Sequence, residues 1–264
     1  MVTIEPKVLD ISPAALRLTI REGRHTGPTA GLAPGFVQTN VVILPAAVAE
    51  EFAEFCRLNS RPCPLIEQTD RGDPEPKRSA PGADLRTDVP RYRVFRQGVA
   101  EASEPTDVLS LWRDDFVGFL LGCSFTFERA LLAAGLPVRH IELGSNVPMY
   151  RTNISCVPAG RFAGPLVVSM RPYRPSDINP VREITGRYST MHGEPVHVGD
   201  PAAIGIRDLA APDFGDAVHL EPDEVPVFWA CGVTPQLALA TARPEIAITH
   251  SPGCMFVTDL TRCT

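Results

Sequence analysis

Two cysteines of the chain stand in matching sequence contexts. Cys123 opens the segment C-S-F-T-F-E-R-A-L and Cys231 opens C-G-V-T-P-Q-L-A-L, so both fit the pattern C-x-x-T-x-[E/Q]-x-A-L. Each segment follows an apolar run, has helical spacing, and is followed by a predicted strand that begins at Ile141 or Ile246. We therefore predict an internal strand–turn–helix–strand repeat with one cysteine at each turn.

A cysteine between a strand and a helix is well placed for thiol chemistry. Backbone N–H groups at a helix N-terminus carry partial positive charge, which stabilises a thiolate and lowers the pKa of the thiol. The same amides bind carboxylates, and those near Ser124 and Gly232 are expected to hold negative charge. Thr126 and Thr234 are predicted at or near the two N-caps, where a hydroxyl closes the first turn or holds a ligand. The alternative, that both cysteines only fill tight strand–helix corners, stays open.

Histidines occur in two contexts that favour acid–base chemistry or metal binding. His250 follows a predicted strand over residues 246–249 and is expected in the same crevice as Cys231, where an imidazole that titrates near neutral pH acts as general acid or base. His192 and His197 flank a glutamate, and a proline between them excludes a regular helix. We interpret these two as loop anchors, and a metal site made of both and an aspartate is the weaker alternative. The prediction is no metal and, since the sequence lacks the glycine-rich phosphate loops, no cofactor.

The composition limits the partners of the chain. It has 264 residues, a formal net charge of −6 and 44% hydrophobic residues. The basic residues form no long stripe, which argues against nucleic acid, and no apolar run approaches the ~20 residues that cross a bilayer. An N-terminus without an apolar segment predicts a cytoplasmic protein, and the odd number of cysteines, seven, argues against a disulfide framework. The predicted partner is a small-molecule carboxylate, and the expected assembly is a homodimer.

Strands that lead directly into helices predict an α/β fold. Residues 37–44 form an apolar run that is expected to be buried on both faces, and helical spacing follows at once over residues 46–58. Much of residues 155–219 is dense in proline, glycine and aspartate, with few helix signals. We predict a mixed sheet flanked by helices in a main domain of residues 1–154 and 220–264. Residues 155–219 are predicted to form a smaller inserted α+β subdomain.

Longer motifs over almost the whole chain carry a family resemblance. They are residues 29–40, 82–92, 112–115, 122–125, 146–153, 168–172, 192–200, 225–236 and 249–259. Together they resemble the D-glutamate cyclase-like family of hydro-lyases, also called YcsI-like. The resemblance implies a cytosolic bacterial hydro-lyase with a two-part α/β fold. It also implies the interconversion of D-glutamate and 5-oxo-D-proline with loss of water, which an animal relative of the family performs.

The expected reaction sets what the site must supply. For a glutamate-like substrate the amine attacks the distal carboxyl carbon and water leaves, which requires proton transfer and donors for the oxyanion. The predicted catalytic residues are Cys123, Cys231 and His250. The predicted substrate-binding residues, among which the two arginines and Asn153 are expected to hold the substrate carboxylate, are Ser124, Thr126, Asn146, Tyr150, Arg151, Asn153, Arg171, Gly232 and Thr234. The alternative function is a non-catalytic protein that binds a small carboxylate.

Overall fold

The structure is a computed structural model that describes residues 11–261. Within this range the helices are α1 Pro13–Arg21, α2 Ala46–Leu58, α3 Phe125–Ala133, α4 Arg139–Glu142, α5 Ile178–Gly186 and α6 Thr234–Ala242. The strands are β1 Phe36–Pro45, β2 Leu65–Gln68, β3 Tyr92–Arg96, β4 Val99–Ala100, β5 Phe116–Gly122, β6 Met149–Ser155, β7 Pro165–Tyr173, β8 His197–Val198, β9 Val225–Ala230, β10 Ile246–His250 and β11 Phe256–Thr261.

The strands form two sheets. One has the order β2-β5-β1-β10-β3-β4, with β11 also paired to β1, and the other has the order β6-β7-β9-β8. The pairings between these strands are antiparallel. The predicted α/β class is confirmed. Its strands lie in two antiparallel sheets where the pattern predicted one mixed sheet. The connections through α3 and α6 lead from one sheet to the other, and those through α2 and α5 stay in one sheet without joining neighbouring parallel strands.

The two sheets share one hydrophobic core. Val42 and Leu44 of β1 pack in a cluster with Phe119 of β5, from the same sheet, and with Val168 of β7 and Phe228 of β9, from the other sheet. The alternate residues of β1 pack in a second cluster on the opposite face, so this strand is buried on both sides as its apolar run predicts. The shared core fixes how the ends of β5 and β9 lie relative to each other.

The predicted domain boundaries stay a prediction, and the sheets divide the chain at other places. Strands β6 and β9 begin in the predicted main segment, yet both pair with β7, which lies in the predicted insertion. The second sheet therefore runs from residue 149 to residue 230 and is not confined to 155–219.

The repeat is present in the structure, with one difference. Strand β5 leads through Cys123 into α3, and β9 leads through Cys231 into α6. Strand β10 begins at Ile246 as predicted, but the predicted strand at Ile141 is wrong, since residues there form α4. The reason is local: the amides of Ile141 and Glu142 both donate to the Val138 carbonyl, at 2.9 and 3.2 Å, and close a helical turn.

The chain crosses between the sheets once in each copy of the repeat. The first copy starts at β5 in the seven-stranded sheet and reaches β6 in the four-stranded sheet. The second copy starts at β9 and returns to β10 in the first sheet. None of the helices within residues 11–261 is long and apolar enough to cross a membrane.

Candidate active site

The two cysteine turns meet at one small cavity. Cys123, at the end of β5, and Cys231, at the end of β9, both line a cavity of about 40 Å³, and His250 lines it as well. The two thiols approach from different sheets, because β5 and β9 belong to different sheets. The three residues that the sequence predicts as catalytic are therefore brought together.

Both helix N-termini are directed at this cavity. The backbone amide of Phe125 favours the thiolate of Cys123, and the amides of Gly232 and Val233 favour that of Cys231, although burial outweighs them. These residues lie at or just before the first turns of α3 and α6, each of nine residues. The amides at both turns are thus available to negative charge in the cavity.

Tight backbone contacts hold each turn in place. A Cβ on Gly232 would overlap the side-chain amide of Asn40, and a Cβ on Gly122 would overlap the carbonyl oxygen of Thr190. Asn40 is itself fixed, because its Nδ2 donates to the Gly122 carbonyl at 2.9 Å. Asn40 thus links the first turn to the second.

The thiols are protonated at neutral pH. Burial raises the pKa of Cys123 to about 12 and that of Cys231 to about 11, and the neighbouring amides and the Arg171 guanidinium oppose this only in part. The predicted lowering of both pKa values is wrong, because burial destabilises each thiolate by more than the helix N-terminus stabilises it. Ionisation of Cys231 would raise the pKa of Cys123 further, since the two sulfurs repel each other as anions.

His250 is a neutral imidazole in this site. The Val41 amide can only donate, and it lies 3.2 Å from Nδ1, so Nδ1 accepts and Nε2 carries the proton; the Val41 carbonyl lies 3.4 Å from Nδ1. Burial lowers the pKa of His250 to about 4. The prediction that His250 titrates near neutral pH, on which its expected acid–base role depends, is therefore wrong. A neutral ring of this tautomer donates a hydrogen bond from Nε2.

A fully buried arginine lies behind the first turn. The guanidinium of Arg171 contacts the carboxylate of Glu128, with Nε 3.1 Å from Oε1, and it donates to the hydroxyls of Ser169 and Ser124 at 3.1 and 3.2 Å. These partners occupy four of its five N–H donors. Its predicted contact with a substrate carboxylate stays a prediction, but in this structure Arg171 stabilises the base of α3.

The surroundings of Glu128 keep it ionised. Burial favours its neutral form, but the Arg171 charge and a contact of 3.2 Å from His140 Nε2 outweigh burial and hold the pKa of Glu128 below its usual range. The guanidinium also lies over the rings of Phe127 and Trp229, with its carbon 5.4 and 5.3 Å from their centroids. Cation–π contacts of this kind stabilise a desolvated guanidinium.

Three predicted substrate-binding residues lie away from the cavity. Tyr150 is buried in the shared core and donates from its hydroxyl to the Leu209 carbonyl at 2.7 Å. Arg151 and Asn153 are exposed on β6, and Arg151 Nε lies 3.6 Å from a carboxylate oxygen of Asp213. Strand β6 pairs with β7 and continues beyond the cavity, so its later residues do not reach it. Their predicted role remains without a contact that supports it.

The remaining predicted residues lie at or beside the cavity. Ser124 and Asn146 line it, as does Gly232. Thr126 and Thr234 do not cap the helices, because each lies within the first turn and the N-cap residues are Ser124 and Val233. Thr234 instead binds the backbone of β7, accepting from the Val167 amide at 3.0 Å.

Sequence reasoning missed Asn40 and Gln236, which also line the cavity. Gln236 is buried, 8% exposed, and within the described residues its Nε2 has no hydrogen-bond partner. Two signals point to these residues: Asn40 ends the first family-like motif, and Gln236 occupies the [E/Q] position of the repeat. Among the described residues that line the cavity, none carries a formal charge at neutral pH.

The two histidines of the weaker metal hypothesis are held by backbone carbonyls. His192 Nδ1 lies 2.7 Å from the Arg61 carbonyl, and His197 Nε2 lies 2.7 Å from that of Asp200. Between residues 11 and 261, no three or more His, Cys, Asp or Glu side chains are grouped closely enough to hold a metal ion. The six cysteines in that range are buried free thiols.

Comparison with known proteins decides the family. The family model for D-glutamate cyclase matches residues 117–259, which include both cysteine turns and His250. The chain belongs to the D-glutamate cyclase family. A relative from Rubrobacter xylanophilus is 62% identical over 93% of this chain and 95% of its own length, and one from Stutzerimonas stutzeri is 57% identical over 95% and 94%. Both are named "Putative hydro-lyase", and the prediction of a lyase is confirmed by this membership.

One solved structure adds a distant likeness. A nitrogen repressor-like protein from Methanococcus jannaschii covers 94% of this chain and 97% of its own, with 10% identity and a TM-score of 0.40.

Proposed function

We propose that this member of the D-glutamate cyclase family closes D-glutamate to 5-oxo-D-proline with loss of water. The observation that carries the proposal is the cavity between the two cysteine turns, where two helix N-termini meet among neutral hydrogen-bond donors. The family description supports the same reaction.

The electrostatics of the cavity suit a substrate with two carboxylates. Each helix N-terminus attracts one anion, so α3 and α6 together offer two places for negative charge. Gln236 Nε2 is a buried donor without a partner in the described residues, and such a group costs free energy until a ligand accepts from it. Glutamate supplies a carboxylate for each turn.

The proton balance of the reaction suits thiols and a neutral imidazole. An ammonium and a carboxylate condense to an amide and water, and two of the three ammonium protons leave with one carboxylate oxygen. The site therefore has to move protons between substrate atoms and needs no strong base. A protonated Cys123 or Cys231 can deliver a proton to the departing oxygen, and His250 Nε2 can donate to the oxyanion.

Substrate entry requires the cavity to widen. About 40 Å³ holds roughly one or two water molecules, each occupying ~30 Å³ in the liquid, and not a five-carbon amino acid. The loop with Pro252, Gly253 and Met255, which forms part of the cavity wall, is the segment that we expect to move.

The test is a direct assay of both directions. The protein is incubated with D-glutamate or with 5-oxo-D-proline, and the products are separated by chromatography. We expect conversion that falls at least about a hundredfold in C123A or C231A. The matched control is C63A, because Cys63 is buried in the shared core and does not line the cavity.

The same assay distinguishes the proposed cyclase from the alternative, a non-catalytic protein that binds a small carboxylate. A protein that retains D-glutamate without converting it is a carboxylate-binding protein, and the cyclase proposal then fails. If the protein converts D-glutamate and both cavity variants match C63A, the thiols are structural.

Location and assembly remain part of the proposal. The resemblance to bacterial hydro-lyases supports a cytoplasmic enzyme, and we propose a homodimer that acts on a small carboxylate without nucleic acid. Cell fractionation and light scattering of the purified protein test the first two points. A membrane-bound fraction or a monomer would contradict them.

A further inference from the structure

Two thiols related by an internal repeat line one cavity. Cys123 follows β5 of the seven-stranded sheet, Cys231 follows β9 of the four-stranded sheet, and both residues line the same cavity. The reaction proposed above needs no proton transfer at the α-carbon. A matched pair of proton-transfer groups that approach from two sides has a second use.

We infer that the cavity also inverts the configuration of the α-carbon of glutamate, with Cys123 and Cys231 as the two proton-transfer groups. One thiol removes the α-proton from one face and the other returns a proton to the opposite face. This inference rests on the proposed function for the substrate class, a free amino dicarboxylate, but it concerns a different bond.

The step is balanced in protons and electrons. One thiol first releases its proton to solvent. Its thiolate then takes the α-proton, forming an S–H bond as the C–H bond breaks, and the electron pair moves into the α-carboxylate as an enediolate. The second thiol protonates the opposite face and becomes the thiolate. The site ends with the roles of Cys123 and Cys231 exchanged and catalyses the reverse inversion in the same way.

The surroundings stabilise the intermediate. The extra negative charge of an enediolate lies on the carboxylate oxygens, where amides of a helix N-terminus donate. His250 Nε2–H and Gln236 Nε2 are neutral donors on the same cavity, and the second is free among the described residues. The described lining has no carboxylate side chain to oppose this charge.

Exchange in D₂O tests the inference. The protein is incubated at about pD 9 with L-glutamate and, separately, with D-glutamate; ¹H NMR follows loss of the α-proton signal and chiral chromatography follows the enantiomers. We expect deuterium at the α-carbon and interconversion of the enantiomers. C123S and C231S, which nearly preserve side-chain volume, should each lose interconversion by about a hundredfold or more. The control C63A should match the unaltered chain.

This experiment distinguishes failure of the cyclase proposal from failure of the inversion inference. Formation of 5-oxoproline with the α-proton retained and no enantiomer exchange overturns the inference and leaves the cyclase proposal standing. Exchange and inversion without formation of 5-oxoproline support the inference and overturn the cyclase proposal. Interconversion that persists in C123S/C231S, with the fold checked by circular dichroism, also overturns the inference.

Discussion

The two cysteine turns are alike in backbone and different in charge. In both, a buried cysteine follows a strand and stands just before a helix. Five residues after each cysteine the copies differ: Glu128 is ionised and bound to Arg171, whereas Gln236 is neutral and lines the cavity. The difference teaches that the first turn uses its polar side chain for internal support, whereas the second leaves its own side-chain amide unpaired at the cavity within the described residues.

Replacing Arg171, which supports the first cysteine turn, should cause the largest loss in the free energy of unfolding. In R171M, Glu128 loses its ion-pair partner while it stays buried, and breaking a buried pair in this way costs ~3–5 kcal/mol. Chemical denaturation measures the free energy of unfolding. We expect E128Q/R171M to recover part of the loss because it removes the stranded charge. A loss below about 1 kcal/mol in R171M would show that Glu128 reaches solvent.

Giving the second turn the charge of the first should weaken binding of the substrate. Q236E places a carboxylate in a cavity whose described lining is uncharged, and it repels a carboxylate substrate. We expect D-glutamate binding, measured by calorimetry, to weaken at least about tenfold, or ~1.4 kcal/mol, with Q236A weakened less. Equal binding by Q236E and Q236A would place the substrate elsewhere.

The close contact between the turns can be tested by one methyl group. G232A would force the added Cβ against Asn40, and such overpacking typically costs ~1–3 kcal/mol. Thermal unfolding and the cyclase assay should both detect the change. The matched control is G27A, where an added Cβ has a nearest neighbour at 3.9 Å. Equal stability of the two variants would mean that Asn40 moves aside freely.

The buried thiols should make the protein less stable in alkali. The unfolded chain releases thiol protons above the ordinary pKa of roughly 8.5, but the folded chain keeps those of Cys231 and Cys123 until about pH 11 and 12. The free energy of unfolding therefore falls as pH rises from about 9, by at most ~1.4 kcal/mol per pH unit for each thiol. Urea titrations across pH 8 to about 10 should show a shallower fall in C123A and in C231A. Slopes unchanged in both variants would contradict the burial of the thiols.

The sequence predicts local features better than the contacts between them. The pattern around Cys123 and Cys231 predicts two strand–turn–helix units because apolar periodicity and turn chemistry are local. The signs of the thiol pKa shifts depend on burial, which forms only when both sheets pack. The ion-pair partner of Arg171, Glu128 of α3, lies 43 residues earlier in the chain, and no spacing rule finds it.

A similar limit applies to the residues around the first turn. Ile141 follows a glycine and a proline and belongs to an apolar segment, and these signals favour a strand. In the structure half of that short segment faces solvent, and its residues close as a helical turn. Tyr150 and Arg151 lie in a family-like motif, yet the motif continues along β6 away from the cavity. A motif marks a shared fold as readily as a shared site.

The chain crosses between the sheets twice, and this has a consequence for how the molecule unfolds. Each sheet supplies the start of one cysteine unit and the end of the other, and both contribute to one core. Neither sheet can detach as an independent folding unit, because separating them would expose the shared core and pull both cysteine units apart. Native-state hydrogen exchange should therefore assign β1 of one sheet and β7 of the other to a single cooperative foldon with a common opening free energy.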